Sequence, residues 1–203
     1  MLNSRRNFWF FSAGAMIAAL ALGGCATTRI TQPPETATEQ LLISTAIDHA
    51  VAHLDLKIEP GTKVFVNSQY FHAPLYSDYA IACVRDRLLH LGARLVNSPK
   101  DANMVIELRS GAQSINHHKL LIGVPAIPIP VPLVGIVTTP EIALFEKNQQ
   151  IGIAKIGISA YGKRGALAAS MAPLYGTSHD THWIALLAIS WTTQNIMPDS
   201  TRK

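Results

Sequence analysis

The sequence predicts a single α+β (α/β) domain, in which a mixed or mainly antiparallel sheet of about five or six strands carries two helices on one face. Three observations lead to this fold class. Residues 36–54 repeat apolar side chains at helical spacing, residues 63–109 read as strand, helix, strand, turn and strand, and residues 141–161 contain two apolar runs that nearly alternate.

The first helix is predicted over residues 36–54. Thr36 is followed three positions later by Glu39, the spacing of a capping box at a helix start. The apolar positions form one broad stripe: Leu42, Ile43, Ala46, Ile47, Ala50, Val51 and Leu54. A stripe of this width predicts that one side of the helix packs against a sheet.

A strand over residues 63–71 and a second helix over residues 78–91 follow, with Ser77 and Asp78 as the predicted cap. The inward side chains of this helix are predicted to be Ile81, Val84, Leu88 and Leu91. Gly92 is typical of the residue after a helix end. A short strand at 93–96, a turn at 97–101 and a strand at 104–109 complete this part.

The last third of the chain predicts further strands. Residues 141–146 and 151–161 are predicted to form a hairpin around a turn at 147–150, with a bulge near Lys155. Residues 166–171 fit either a strand or a short helix. Residues 183–192 are predicted to be one final strand, with Trp183, Trp191 and Tyr175 packed in the core or lining a groove.

The N-terminus has the pattern of an export signal. Arg5 and Arg6 precede an uncharged run over residues 8–22, which is short for a permanent membrane span. The run ends in Leu22-Gly23-Gly24-Cys25, which resembles the lipobox of bacterial lipoprotein signal peptides. An ordinary secretory signal or an uncleaved anchor is the alternative.

The lipobox resemblance implies that residues 1–24 are removed and that Cys25 receives a diacylglycerol and an acylated amine. Residues 25–35 would then be a lipidated tether, residues 36–197 a periplasmic domain, and residues 198–203 a flexible tail. Ala26 stands where an aspartate favours retention at the inner membrane. The resemblance therefore implies an outer-membrane lipoprotein that faces the periplasm, with the inner membrane as the alternative.

Charge and cysteine content restrict the function classes. Removing residues 1–24 removes Arg5 and Arg6 and no acid, which lowers the formal charge from +4 to +2. That balance is not the basic signature of a nucleic-acid-binding protein. Of the 2 cysteines, Cys25 is committed to lipid, so Cys83 has no partner for a disulfide. Apolar neighbours indicate that Cys83 is a small buried side chain.

The most unusual segment is residues 120–137, which contains no charge and includes four prolines. Repeated prolines exclude a membrane helix and a central strand, so an extended, polyproline-like loop is predicted. It either covers part of the core or projects to contact a partner or lipid. The predicted contact residues are Ile122, Val124, Pro125, Ile127, Pro128, Ile129, Pro130, Val131, Pro132 and Leu133.

Two stretches carry family resemblances. Residues 63–109 resemble small α/β units of envelope lipoproteins, such as the curli-export lipoprotein and the auxiliary lipoproteins of ABC-type transporters. Over its mature length the chain is similar to a family of uncharacterised bacterial lipoproteins. The matching segments include Gly-Ala-Arg-Leu-Val-Asn-Ser-Pro from Gly92 and Thr-Pro-Glu-Ile-Ala-Leu-Phe from Thr139. This resemblance implies a compartment and a domain, and no activity.

Histidine patterns suggest a metal only as an alternative. His49 and His53 share a helix face, but Ala50 stands where a zinc protease has its glutamate. His179, Asp180 and His182 could provide ligands from a loop, although no third ligand segment is fixed by spacing. Neither a nucleophile elbow nor a phosphate loop occurs, and Glu107 with Arg109 fits a surface ion pair.

The sequence thus predicts a non-enzymatic lipoprotein without a cofactor other than the lipid on Cys25. It would be attached to a membrane and serve as an accessory or assembly factor for an envelope protein complex, with residues 120–137 as contact. A periplasmic metal-binding protein or hydrolase that uses His179, Asp180 and His182 is the alternative.

Replacing the lipobox cysteine tests the predicted export route. Cys25→Ala should leave the precursor unprocessed and unlipidated, because the thiol is the acceptor of the diacylglycerol. Mass spectrometry of the membrane fraction measures both properties. A normally lipidated mature species from the variant would refute the prediction, and Cys83→Ala is the control that should be processed normally.

Overall fold

The structure is a computed structural model that describes residues 35–133 and 135–197. The predicted signal peptide, nearly all of the tether, Cys25 and the tail lie outside the described residues. The helices are α1 (Ala37–Ala52) and α2 (Ser77–His90), and a 3-10 turn spans Pro99–Asp101. The strands are β1 (Lys63–Tyr70), β2 (Arg94–Leu95), β3 (Met104–Val124), β4 (Pro128–Val131), β5 (Gly135–Thr138), β6 (Ile142–Gly162), β7 (Leu167–Ser170), β8 (Leu174–Ala185) and β9 (Ile189–Gln194).

Seven strands form the main sheet, in the order β2-β1-β3-β6-β8-β9, with β7 paired to part of β6. β1 runs parallel to β2 and β3, and all other neighbours are antiparallel. A separate two-stranded ribbon joins β4 and β5. The predicted fold class, a mixed sheet with two helices, is confirmed.

The core lies between the helices and one face of this sheet. Val66 pairs with Ile106, and Ile106 pairs with Ala160, so buried side chains line up across β1, β3 and β6. The helices cover them with Leu42, Ile47, Val84 and Leu88. Full burial of each Leu or Ile contributes roughly 1.5–3 kcal/mol to folding, and the predicted apolar stripes therefore decide where the helices sit.

Two glycines let α1 lie directly on the sheet. A methyl group on Gly176 would come within 1.9 Å of the Ala46 carbonyl oxygen, and one on Gly152 within 2.5 Å of the Leu42 carbonyl oxygen. Close approach also allows the Ser178 hydroxyl, which is buried, to donate to the Leu42 carbonyl at 2.5 Å. The first helix begins with the predicted capping box between Thr36 and Glu39.

The start of α2 differs from the prediction. Its N-cap is Tyr76, whose side chain makes no capping bond. The Ser77 hydroxyl instead accepts a hydrogen bond from the Ala73 N–H and donates one to the Ala73 carbonyl, each at 2.7 Å. The end of α2 is as expected, because Gly92 has a φ of 93°.

Two predicted strand boundaries are wrong. Residues 147–150 are not a turn, because β6 continues through them and pairs on both sides, for example Asn148 with Lys119 and with His182. Residues 183–192 are not one strand, because β8 ends at Ala185 and β9 begins at Ile189. The polar residues at 147–150 suggested a turn that does not exist. The turn between Ala185 and Ile189 contains no glycine or proline, so the sequence contained no sign of it.

Two further features of the strands differ from the prediction. β3 was expected to end near residue 109, yet it runs to Val124. The predicted irregularity near Lys155 lies on the partner strand, where the register shifts between Ser110 and Ala112 opposite Lys155. The undecided residues 166–171 contain β7.

The close packing of α1 on Gly152 and Gly176 leads to a prediction about stability. Gly176→Ala should lower the free energy of unfolding by about 1–3 kcal/mol, because the methyl group overlaps the backbone of α1 and forces helix and sheet apart. Urea unfolding followed by circular dichroism measures the change. Gly162→Ala is the matched control in the same sheet, since nothing lies within 4 Å of its added methyl group. Equal unfolding midpoints for the two variants would contradict this account.

Candidate contact surface at the end of the arm

Strands β3 and β6 continue far beyond the helices. Each has 21 residues, and at about 3.3 Å per residue each is roughly 70 Å long, several times the usual strand length. The parts of these strands from the start of α1 onward, together with the adjoining parts of β8 and β9, form an extension that we call the arm: residues 117–124, 142–150, 180–185 and 189–194. The ribbon of β4 and β5 is connected to the end of the arm through residues 125–127 and 139–141.

A band of polar side chains crosses the arm next to the start of α1. His117 Nε2 lies 4.0 Å from a carboxylate oxygen of Glu39 on the helix. Lys119 Nζ lies 2.8 Å from Glu141 and 3.4 Å from Glu146. Hydrogen bonding between Lys119 and Glu141 raises the pKa of the lysine and lowers the pKa of the glutamate. This polar band lies on the helix-facing side of the arm and reaches as far as Glu146, which pairs with Leu121 and Ile184.

Outside this band, the end of the arm and the ribbon expose many large apolar side chains. We call this surface the apolar tip, and its members come from three separate segments of the chain. They are Leu120, Ile122, Val124, Ile127, Ile129, Leu133, Ile136, Val137, Ile142, Leu144, Leu186, Leu187 and Ile189. Each is about half exposed or more, and Leu133 is completely exposed. A large exposed apolar surface usually marks a contact site.

The turns of the tip place leucines where glycine or asparagine is usual. Leu133, Leu186 and Leu187 have φ values of 67°, 50° and 67°, and they are the non-glycine residues with positive φ in the described ranges. Such conformations are costly for a leucine. The β8–β9 turn lies beside β6, because the Leu186 N–H donates to the Leu144 carbonyl at 2.8 Å.

Aromatic side chains flank the tip on the face of the sheet opposite the helices. Trp183 stacks on Trp191, with ring centroids 5.9 Å apart and planes 6° apart. Phe145 lies 6.0 Å from Trp183, and the Lys147 ammonium lies 5.1 Å from the same ring. The predicted core packing of Trp191 and Tyr175 is wrong, since both side chains are exposed.

The structure changes the interpretation of residues 120–137. They do not form a polyproline-like loop, because Leu120–Val124 belongs to β3 and the rest contains β4 and β5. Pro128 and Pro130 alternate in β4, so their missing N–H groups fall on the unpaired side of a two-stranded ribbon. Of the two alternatives, projection is the one observed. The predicted contact residues are exposed, except that Val131 is half-buried.

Sequence reasoning missed the contributions of the other two segments. Ile142 and Leu144 were assigned to a hairpin, and Leu186, Leu187 and Ile189 to a single strand. A signal was present, because a run as apolar as residues 183–189 has no place in an edge hairpin that faces water on one side. Only strand pairing brings these segments beside residues 120–137.

The alternative histidine site is distributed over both faces of β8. Alternation along the strand separates His179 from Asp180 and His182. The His182 ring bonds to the Thr192 hydroxyl at 3.2 Å, while Asp180 Oδ1 is buried without a hydrogen-bond partner. Burial raises the pKa of Asp180. Among residues 35–133 and 135–197, no group of three or more metal-binding side chains converges.

Cys83 lies half-buried between the two helices. Its sulfur is 3.5 Å from an Asp48 oxygen that also accepts a bond from the Tyr79 hydroxyl at 2.8 Å. Burial raises the pKa of this thiol to about 11, so it is protonated at neutral pH and is a poor nucleophile. Glu107 and Arg109 form the predicted ion pair, at 3.2 Å.

Together these observations describe an α+β domain with a long antiparallel arm that ends in an exposed apolar surface. No helix in the described part of the chain has both the length and the hydropathy to cross a membrane. The chain belongs to a family of unknown function, DUF6655, whose model matches residues 19–172. The prediction of an uncharacterised family is confirmed, whereas the resemblance to curli-export and ABC-transporter lipoproteins stays a prediction.

Comparison with solved structures finds a similarity to the solution structure of an uncharacterised lipoprotein B from Nitrosomonas europaea. The identity is 8%, the match covers 72% of this chain and 74% of that one, and the TM-score is 0.28. A similarity this low carries no inference about function. No curated protein matches the chain.

The buried carboxylate on β8 generates a prediction about pH. Because the folded-state pKa of Asp180 is raised, the folded protein binds this proton more tightly than the unfolded chain does. The resulting stabilisation is present below the unfolded pKa and is lost as the pH rises through the folded pKa. Asp180→Asn should therefore raise the free energy of unfolding at pH 7, by less than about 1 kcal/mol after solvent screening.

Urea unfolding at pH 7 and pH 4 measures this effect. The free energy of unfolding of the variant minus that of the native protein should be more positive at pH 7 than at pH 4. Asp55→Asn, at an exposed carboxylate, is the control. A destabilised Asp180→Asn protein at pH 7 would show that the charge has a favourable partner.

Proposed function

We propose that the chain is an exported, lipid-anchored protein of the bacterial envelope that acts as a non-enzymatic accessory or assembly factor through its apolar tip. The apolar tip is the observation that carries this proposal. Leu133, Leu186 and Leu187 are held in exposed, costly turns, which offers no benefit to a domain that meets only water. Covering these side chains would recover about 25 cal/mol for every Å² of apolar surface removed from water.

The arm is suited to contact because its backbone is already ordered. β6 pairs along most of its length with β3 on one side and β8 on the other. A partner therefore meets a surface that loses little conformational freedom on binding, which reduces the cost of association. The core beneath the helices is separate from this surface, so contact at the tip does not require the domain to open.

The anchor in this proposal is supported by the sequence of residues 1–25. Arg5, Arg6, the apolar run and Cys25 occur in the order that lipoprotein export requires. The lipid on Cys25 would be the protein's only attached group, and the outer membrane, facing the periplasm, its place, with the inner membrane as the alternative. Several acyl chains together give stable anchoring.

A second candidate function is a periplasmic metal-binding protein or hydrolase centred on Asp180. Its unpaired, buried Oδ1 and the nearby His182 favour this candidate. His179 lies on the other face, so a metal would need a ligand from elsewhere. Metal analysis of protein purified without chelator tests it, and a protein free of transition metals would refute it.

Site-specific photo-crosslinking in cells tests the contact surface. A photo-reactive amino acid in place of Ile136 should form an adduct with an envelope component, either protein or lipid, because this position is 73% exposed at the tip. The same group in place of Leu167, 67% exposed on β7, is the matched control and should form none. Equal yields at the two positions, or no adduct at Ile136, would contradict the proposed contact surface.

A further inference from the structure

We propose that the apolar tip inserts into the interfacial layer of a lipid bilayer, the same bilayer that holds the lipid on Cys25. This inference rests on the proposed function, since it specifies what the contact surface binds. The domain would then have two attachments to one membrane, the lipid on Cys25 and the arm. Two attachments fix the orientation of the sheet relative to the membrane plane, which a tether alone does not.

The chain enters the domain at the end that carries the arm. Successive contacts of α1 follow the sheet away from the tip: Glu39 reaches His117 beside the polar band, the Leu42 carbonyl binds Ser178, and Ala46 lies over Gly176. The N-terminus of α1 therefore points toward the apolar tip. Any membrane anchor upstream of Glu35 is connected to the domain on this side.

The length of the tether is compatible with a shared membrane. Nine residues lie between Cys25 and Glu35, so the ten residue steps from one to the other span at most about 36 Å. Along β3, Leu120 follows His117 by three residues, or about 10 Å. The tether is therefore long enough for acyl chains on Cys25 to enter a bilayer whose surface lies at the level of the tip.

The side chains along the arm follow the order of depth in a membrane interface. Aliphatic residues occupy the end, the stacked Trp183 and Trp191 come next on the open face, and Lys147 lies over the tryptophan ring. Indole rings concentrate at the boundary between acyl chains and headgroups, and lysines extend toward the headgroups. On the helix-facing side of the arm, Lys119 neutralises the charges of Glu141 and Glu146 within 3.4 Å, which lowers the cost of bringing these carboxylates close to a membrane surface.

The elements that carry the surface also favour lipid over a protein groove. Leu120 and Ile122 project from one face, and Leu133, Leu186 and Leu187 occupy turns at the end. The apolar surface is thus contributed by strand faces and by the turns of two hairpins, and the pockets found in the described residues lie elsewhere, around the helices. Fluid acyl chains adapt to a surface made of turns and strand edges, and shallow insertion of the turns leaves their backbone within reach of headgroups and water.

Tryptophan fluorescence in vesicles tests the inference. Trp9→Phe leaves Trp183 and Trp191 as the remaining tryptophans, whether or not the signal is removed. The protein isolated from membranes is reconstituted into phosphatidylethanolamine–phosphatidylglycerol vesicles whose acyl chains carry bromine near the headgroup. Bromine quenches only indoles in its immediate neighbourhood. The expected result is the loss of at least half of the emission relative to unbrominated vesicles, together with a blue shift.

Paired substitutions identify the surface responsible. Leu186→Asp with Leu187→Asp should abolish the quenching, because charge is excluded from the acyl region and aspartate tolerates the positive φ. Leu75→Asp with Leu89→Asp, at exposed positions outside the tip, should leave it unchanged. Far-ultraviolet circular dichroism confirms that both double variants remain folded.

The outcomes separate the inference from the proposed function. Mass spectrometry of the same sample reports the lipid on Cys25, and an unlipidated protein refutes the anchor of the proposed function whatever the quenching shows. A lipidated protein without quenching overturns bilayer insertion. The crosslink at Ile136 then shows whether the tip binds a protein instead. Quenching that survives Leu186→Asp with Leu187→Asp also overturns the inference.

Discussion

The pairing of β3 with β6 over nearly their full length holds the rest of the structure in place. At one end this ladder aligns Ile106 and Leu108 with Ala160 and Ile158 beneath the helices. At the other end the same two strands extend away from any helix and bring the proline-containing ribbon to the tip. Core and contact surface are therefore parts of one hydrogen-bonded sheet, and a change of register in the core would also move the tip.

The packing of α1 on β6 and β8 determines at which end of the sheet the chain enters the domain. Gly152 and Gly176 remove the side chains that would hold the helix away, and Ser178 fixes it through the Leu42 carbonyl. Because the helix begins beside His117 on the arm, the same packing that completes the core also orients the point of chain entry. Stability and the geometry of attachment thus depend on a small number of contacts between α1 and two strands.

The tip shows how an apolar surface can be built without a pocket. Its residues come from three segments, and each segment by itself resembles an ordinary core strand or an irregular loop. Strand pairing places them together at a distance from the helices, where no other element of the described chain covers them. The leucines at positive φ lie in the turns of two hairpins, so the most strained backbone in the described ranges coincides with the most exposed apolar side chains.

The sequence by itself determined the fold class, the capping box at Thr36 and Glu39, the helical stripes, the end of α2 at Gly92 and the unusual character of residues 120–137, because these depend on local spacing and on the backbone limits of glycine and proline. The length of β3 and β6, the turn at Leu186 and Leu187, and the gathering of three segments into one surface were decided by the tertiary structure alone. The polar run 147–150 could pass for a turn until pairing with β3 and β8 satisfied its backbone. Non-local hydrogen bonds have no signature in a short stretch of sequence, and they determine where the apolar residues of this chain meet.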